Sequence, residues 1–187
     1  KNKKTRISNN EKFVAIIGGS PSKGARSPVL WNRVYRKFHK KIKMYPLDVS
    51  KKNVKKLIFA LSENKNFLGG SVTIPFKETI SHILKKNLSR EAKIIGAVNC
   101  LFRDKKKLKG TNTDGEGALV AFNNFKAPKK IKNISILGCG GAGKAVIAYF
   151  AKKFKKAKIN VFTTNKKNNL FIKKIKARLC KWKELDK

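Results

Sequence analysis

The sequence predicts an α/β fold: an N-terminal βαβ domain with a mainly parallel sheet, followed by the first part of a second βαβ domain. Three observations predict it. Apolar runs of strand length alternate with segments whose apolar residues recur every three or four positions, as in strands joined by helical crossovers. A β-branched run, Val72-Thr73-Ile74, follows a glycine pair and stops at Pro75. A Gly-x-Gly-x-x-Gly stretch, Gly138-Cys139-Gly140-Gly141-Ala142-Gly143, follows one apolar run and opens another of helical period.

In chain order, residues 1–12 are polar and basic and read as a lead-in. Phe13 to Ile17 is a continuous apolar run, a buried strand that ends in the loop Gly18-Gly19-Ser20-Pro21. Ser27-Pro28 reads as an N-cap with proline at the first helical position, and Leu30, Val34 and Phe38 make the apolar stripe of the helix that follows. Lys41 to Leu47 is a second strand, and Val54, Leu57, Ile58 and Leu61 mark a second helix that closes before Gly69. Val72 to Ile74 has the composition of a third, buried parallel strand.

Pro75 is expected to open the next helix as its first residue, which puts Lys77 in the first turn. A cation there is disfavoured by about 0.3–1 kcal/mol, because the N–H groups present their positive ends. The loops after the first and third strands leave one edge of the sheet, where open α/β sheets bind ligands. Lys77 is therefore a candidate site residue, weighed against an ordinary surface lysine in a chain of forty.

Ile94 to Phe102 reads as a loop into a strand, Arg103–Lys107 as a charged hairpin turn, and Leu108-Lys109-Gly110 as the return strand. Thr111 to Gly117 then precedes a helix through Leu119, Val120 and Phe122. Thr113 and Glu116 fit a capping box, with Asp114 at a helix N-terminus that favours a carboxylate. That explains Asp114 structurally. A catalytic role would require its carboxylate beside Lys77, which spacing does not establish.

Residues 126–132, with Pro128, read as a connector, giving an expected lead-in at 1–12, a first domain over 13–125 and a partial nucleotide domain over 133–187. Ile134 to Leu137 is a strand that runs into the glycine-rich stretch, and Ile159–Phe162 is the next strand at the expected distance. In that context the motif reads as the dinucleotide-binding turn of a Rossmann-type domain. Gly138 allows the tight turn, Gly140 admits a pyrophosphate, and Gly143 lets helix pack on strand; Gly141 and Ala142 open the helix whose N-terminus holds the anion. At the tip of the next strand stand Thr163-Thr164-Asn165-Lys166-Lys167, with no carboxylate to hold the ribose hydroxyl of NAD. NADP is the expected cofactor, NAD the alternative, with Thr164 and Lys166 as candidate contacts. Leu170 to Lys187 reads as a basic helix.

The 187 residues carry 47 Lys+Arg against 10 Asp+Glu, a formal charge of +37. Such a field attracts anionic ligands. Lysine outnumbers arginine forty to seven, however, and the lysines are scattered, so specific nucleic-acid readout, which leans on arginine's planar fork, is not expected. Cys100, Cys139 and Cys180 are far apart and read as reduced structural thiols, which points to a cytoplasmic protein and gives no metal-binding pattern. No apolar run approaches membrane-spanning length, and no signal peptide is visible. Because the chain begins at Lys1, it is expected to be part of a longer polypeptide.

Five stretches, in order, resemble the shikimate dehydrogenase family: Gly19-Ser20-Pro21 through Ser27-Pro28, Ser71 to Lys77, Gly96-Ala97-Val98-Asn99, Asn112-Thr113-Asp114-Gly115, and Gly138 to Gly143. The second and fourth are highly specific to the family, and the resemblance covers roughly residues 13 to 180. It implies NADPH-dependent reduction of 3-dehydroshikimate to shikimate, on the way to aromatic amino acids. By the same resemblance Lys77 and Asp114 are the catalytic pair. An ammonium can stabilise a developing alkoxide and donate a proton to it. Asn99 matches a hydroxyl-binding asparagine, while Thr73 and Ser27 match substrate-contacting hydroxyls, Ser27 at the carboxylate.

Some positions depart from the family pattern. Ala25 falls on a serine, Ser71 on an asparagine, and Thr163-Thr164-Asn165 on Asn-Arg-Thr, so the phosphate-binding arginine is absent. The later strands and a glutamine-bearing C-terminal helix are missing. These departures keep open a quinate/shikimate dehydrogenase that uses NAD or NADP, and a basic binding protein that has kept the fold without turnover. Fusion to other enzymes of the pathway, known in the family, is a further expectation.

Overall fold

The computed structural model describes residues 7, 10–125 and 130–185, without the Lys166 side chain. Packing divides the chain into two units, one running to Lys93 and including Val98–Thr111, the other made of Ile94–Ala97 and the chain from Asn112 onward. Residues 126–129 of the expected connector, and 1–6, 8 and 9 of the lead-in, lie outside the described residues.

The first unit is built on a five-stranded sheet: β1 (Phe13–Gly18), β2 (Lys43–Asp48), β3 (Phe67–Val72), β4 (Cys100–Asp104) and β5 (Lys107–Thr111), in the order β2-β1-β3-β4-β5. The first three strands are parallel, and β4 and β5 continue the sheet as an antiparallel hairpin. Chain direction across the sheet reverses at β1, because β2 lies on one side of it and β3 on the other. The carboxyl ends of β1 and β3 therefore flank a topological switch point, where such sheets open a crevice. Helices α1 (Ser27–Lys37), α2 (Val54–Glu63), α3 (Lys77–Leu84) and α4 (Arg90–Ile95), the last two residues of α4 counted with the second unit, connect or follow these strands. Phe13, Ile17, Phe67, Ile58, Phe76, Ile80 and Leu101 form the centre of the core.

The glycine pair is not a lead-in to β3 but its middle. Gly69 and Gly70 have φ of +141° and +146°. A Cβ on Gly70 would lie 1.8 Å from the Ala15 carbonyl oxygen, and one on Gly69 would lie 2.2 Å from that of Leu101. The strand thus ends at Val72, earlier than its β-branched composition predicts, and Ile74 is 78% exposed. Pro75 also lies outside the helix, after a cis peptide bond; α3 begins at Lys77 itself, with Phe76 as its cap residue.

Helix α1 departs from its expected packing. Ser27 is its first helical residue, Arg26 occupies the cap position, and no side chain caps it. No residue of α1 is buried, and Leu30, Val34 and Phe38 are 62%, 40% and 62% exposed. The apolar stripe points to solvent because the helix meets the sheet through its polar flank. There the Asn32 side chain donates to the Met44 carbonyl at 3.0 Å and accepts the Met44 N–H at 2.7 Å. That amide stands in for a neighbouring strand along the outer edge of β2.

The second unit carries the parallel sheet β6 (Asn133–Leu137), β7 (Lys158–Phe162) and β8 (Arg178–Cys180), with α5 (Asp114–Asn124), α6 (Gly141–Lys153) and α7 (Asn169–Lys174). The basic stretch after Leu170 is therefore not one helix. It ends α7, turns through Lys176 at φ +59° and returns as β8. Helix α5 packs on α6 so closely that a Cβ on Gly115 would lie 2.4 Å from the Ala145 carbonyl oxygen. Phe122 packs edge-on against Phe150 and Phe154.

Candidate functional site

Four of the sequence-predicted site residues, Ser27, Thr73, Lys77 and Asn99, belong to the first unit, and hydrogen bonds fix three of them at the carboxyl ends of β1 and β3. Thr73 follows β3 directly, and its N–H donates to the Ile17 carbonyl at 2.9 Å. At the next residue, the Ile74 carbonyl accepts the Gly19 N–H at 3.0 Å, so the two strand ends leave the sheet together. Phe76 N–H closes a turn on the Thr73 carbonyl, and Lys77 starts α3 immediately after it. The Lys77 carbonyl accepts the Val98 N–H at 2.8 Å, while the Asn99 carbonyl accepts the Val72 N–H at 2.7 Å. Thr73 and Lys77 are thus carried by one backbone segment and Asn99 by a second, the two bonded to each other and the first also to the end of β1, and all three side chains are half-buried.

Ser27 opens α1 at the end of the loop that leaves β1. The loop is pinned by Ser22, whose N–H and hydroxyl both donate to the Asp48 carboxylate at the end of β2, at 2.9 and 2.5 Å. That anchor was not predicted, since a Ser–Asp pair twenty-six residues apart leaves no local pattern. Beside Asn99, burial pushes the Cys100 thiol up from its ordinary value.

Asp114 belongs to the second unit, as do all the predicted cofactor contacts. It is the first residue of α5, but the expected capping box does not form: Thr113 makes no side-chain cap bond. The buried Asn112, one residue before the cap position, instead holds the helix start, its Oδ1 accepting the Asp114 N–H at 3.0 Å.

The glycine-rich loop leaves β6 with Gly138 at φ +91°, its N–H bonded to the Phe162 carbonyl at 2.8 Å. Gly140 caps α6, and the first intrahelical bond is the one from Lys144 N–H to its carbonyl. The N–H groups of Gly141, Ala142 and Gly143 are the orphan donors of that helix start, the arrangement that receives a phosphate. A Cβ on Gly140 would meet open space, while one on Gly143 would lie 2.4 Å from the Gly138 carbonyl oxygen. Residues and backbone thus fit a pyrophosphate group.

At the tip of β7, Thr163 and Asn165 side chains accept the N–H groups of Asn165 and Lys167, leaving Thr164 exposed. The Lys166 side chain lies outside the described residues. Asn168, 4% exposed, donates to the Cys139 carbonyl and so ties this tip to the glycine-rich loop. Among the described residues no cluster of His, Cys, Asp and Glu could hold a metal ion, and no helix is long and apolar enough to cross a membrane.

A lysine at a helix start beside the switch point of one sheet, and a second sheet whose first loop is shaped for a pyrophosphate, are features of a two-unit α/β protein with a nucleotide-binding fold. Residues 17–101 match the family model described as the shikimate dehydrogenase substrate binding domain. The shikimate dehydrogenase (NADP(+)) of Carboxydothermus hydrogenoformans is 36% identical over 141 residues, 75% of this chain and 49% of that protein. The crystal structure of shikimate dehydrogenase from Aquifex aeolicus superposes with a TM-score of 0.80 at 30% identity, covering 94% of this chain and 64% of that one. That of shikimate 5-dehydrogenase from Thermus thermophilus, in complex with NADP(H) and shikimate, gives 0.75 at 25% identity, covering 90% and 62%. This chain belongs to the shikimate dehydrogenase family, and it spans about half the length of the curated relatives it matches.

Proposed function

We propose that the protein catalyses the reversible, NADP-dependent reduction of 3-dehydroshikimate to shikimate. The observation that carries this reading is the hydrogen-bonded junction of Thr73, Lys77 and Asn99 at the carboxyl ends of β1 and β3. It sets one ammonium, one hydroxyl and one amide at the edge where a polyhydroxylated ring acid would bind. Lys77 donates the proton that the reacting carbonyl oxygen gains as it becomes a hydroxyl, and its charge stabilises the alkoxide as it forms. Asp114 is the second member of the catalytic pair and orients a ring hydroxyl. Asn99 and Thr73 hold further hydroxyls, and Ser27, the first residue of α1, contacts the substrate carboxylate.

NADPH supplies the hydride when bound. Gly138, Gly140, Gly141, Ala142 and Gly143 would hold its pyrophosphate, with Thr164 and Lys166 toward the adenosine ribose. The exposed Thr164, where the family carries an arginine, favours a second reading in which NAD or quinate is also accepted. Fusion to other enzymes of the pathway and a cytoplasmic location belong to the same proposal and rest on the resemblance.

Following the loss of reduced-nicotinamide absorbance with 3-dehydroshikimate tests the reading. Lys77→Ala is expected to lower kcat by about 100- to 10,000-fold with the fold intact. An unchanged kcat would remove Lys77 from the mechanism. No turnover by the unaltered chain, together with nucleic-acid affinity that falls steeply with salt, would favour the basic binding protein instead.

A further inference from the structure

Asn112 is 1% exposed, and its amide joins two backbone segments of the second unit. Its Nδ2 donates to the Ala97 carbonyl at 3.0 Å, and its Oδ1 accepts the Asp114 N–H at 3.0 Å. Starting a helix does not require this residue, since serine or threonine would accept the same N–H. What an asparagine adds is a donor and an acceptor in one plane, neither of which can be lost in a buried place without leaving a backbone group unpaired.

We propose that Asn112 is a positioning residue for the Asp114 carboxylate, locking the first residue of α5 to the Ala97 turn. The inference rests on the role given to Asp114 in the proposed reaction. With its N–H held by Asn112 and the next turn closed by the Gly117 N–H bond to the Thr113 carbonyl at 2.9 Å, the backbone that carries the Asp114 side chain has little freedom. Small displacements of such a group cost large factors in rate.

Amide exchange on the 187-residue chain tests the contact itself. Asn112→Ala is expected to speed exchange of the Asp114 amide about tenfold, while core amides of α6 such as Ile147 keep their protection. An unchanged Asp114 amide overturns the proposal, and so does lost protection at Ile147, which would make Asn112 merely structural. If the alanine variant does not fold, Asn112→Asp, which keeps the acceptor and loses the donor, decides. It is expected to keep the Asp114 amide protected and to free the Ala97 turn, and equal exposure of both segments overturns the proposal.

Kinetics supply the second arm. Asn112→Ala is expected to lower kcat about 10- to 100-fold, leave the KM for NADPH unchanged, and cause no further loss once Asp114 is replaced by Asn. An equal loss in both backgrounds overturns it. A chain without turnover refutes the proposed reaction, and the exchange result alone then judges the placement of Asp114.

Discussion

Gly70 and Ala15 face each other across paired parallel strands so closely that a Cβ on Gly70 would sit 1.8 Å from the Ala15 carbonyl oxygen. The obstacle is backbone at the centre of the sheet, so no side-chain rotation relieves it. The φ of +146° is a second barrier, since side-chain-bearing residues rarely adopt it. Gly70→Ala is therefore expected to destabilise the first unit by about 4 kcal/mol or more, read from its urea-unfolding midpoint. A change below about 1 kcal/mol would mean that β1 and β3 part easily.

Much of the fold was legible because apolar periodicity reports burial. It failed where burial was decided by something else. Leu30, Val34 and Phe38 have helical spacing and form a helix, yet the polar Asn32 chose which flank met the sheet. Val72 to Ile74 read as a strand by composition, but two glycines made the close pairing and the strand ended before Thr73. At the site, motif residues gave the positions of Thr73, Lys77 and Asn99. The buried amides that hold the loops, Asn112 and Asn168, donate to backbone carbonyls distant in sequence, at Ala97 and Cys139, which local pattern does not report.

The exposed stripe of α1 gives a direct contrast. Leu30 is 62% exposed and Ile80, on α3, is fully buried in the core. Leu30→Ala is expected to change stability by less than about 0.5 kcal/mol, and Ile80→Ala to lower it by about 2–5 kcal/mol. Equal losses in thermal or urea unfolding would show that α1 is buried by its apolar side in solution.

Arg103 ties the β4–β5 hairpin to the elements that precede β3. Its guanidinium donates to the carbonyls of Leu61, Ser62 and Asn64 around the end of α2, to Phe67 at the start of β3, and to Lys106 in the hairpin turn. A planar fork with five N–H donors can reach all of these; an ammonium with three cannot. Arg103→Ala is expected to cost about 3 kcal/mol, and Arg103→Lys to recover less than half of that. Full recovery by lysine in equilibrium unfolding would reduce the contact to charge alone.

Tyr45 provides a pH signature. Its hydroxyl donates to Glu11 Oε2 at 2.8 Å. Burial first, then the hydrogen bond and the charge of Glu11, push the phenol up from 10.0 to about 12. Below pH 10 the phenol is protonated in folded and unfolded chains alike, and its contribution to stability is fully present. Between about pH 10 and 12 the unfolded chain loses this proton while the folded one keeps it, so stability falls as pH rises. The measurable quantity is the stability of the wild type minus that of Tyr45→Phe, in which the effects of all other groups are common. That difference is expected to hold steady up to pH 10 and shrink above it. Glu11→Gln should bring the phenol only part of the way back toward its ordinary value, since burial is the larger cause. The tyrosinate absorbance of each variant, taken against Tyr45→Phe, follows this directly; a Tyr45 that ionises near 10 in the folded chain would show that Glu11 and the core leave its hydroxyl open to water.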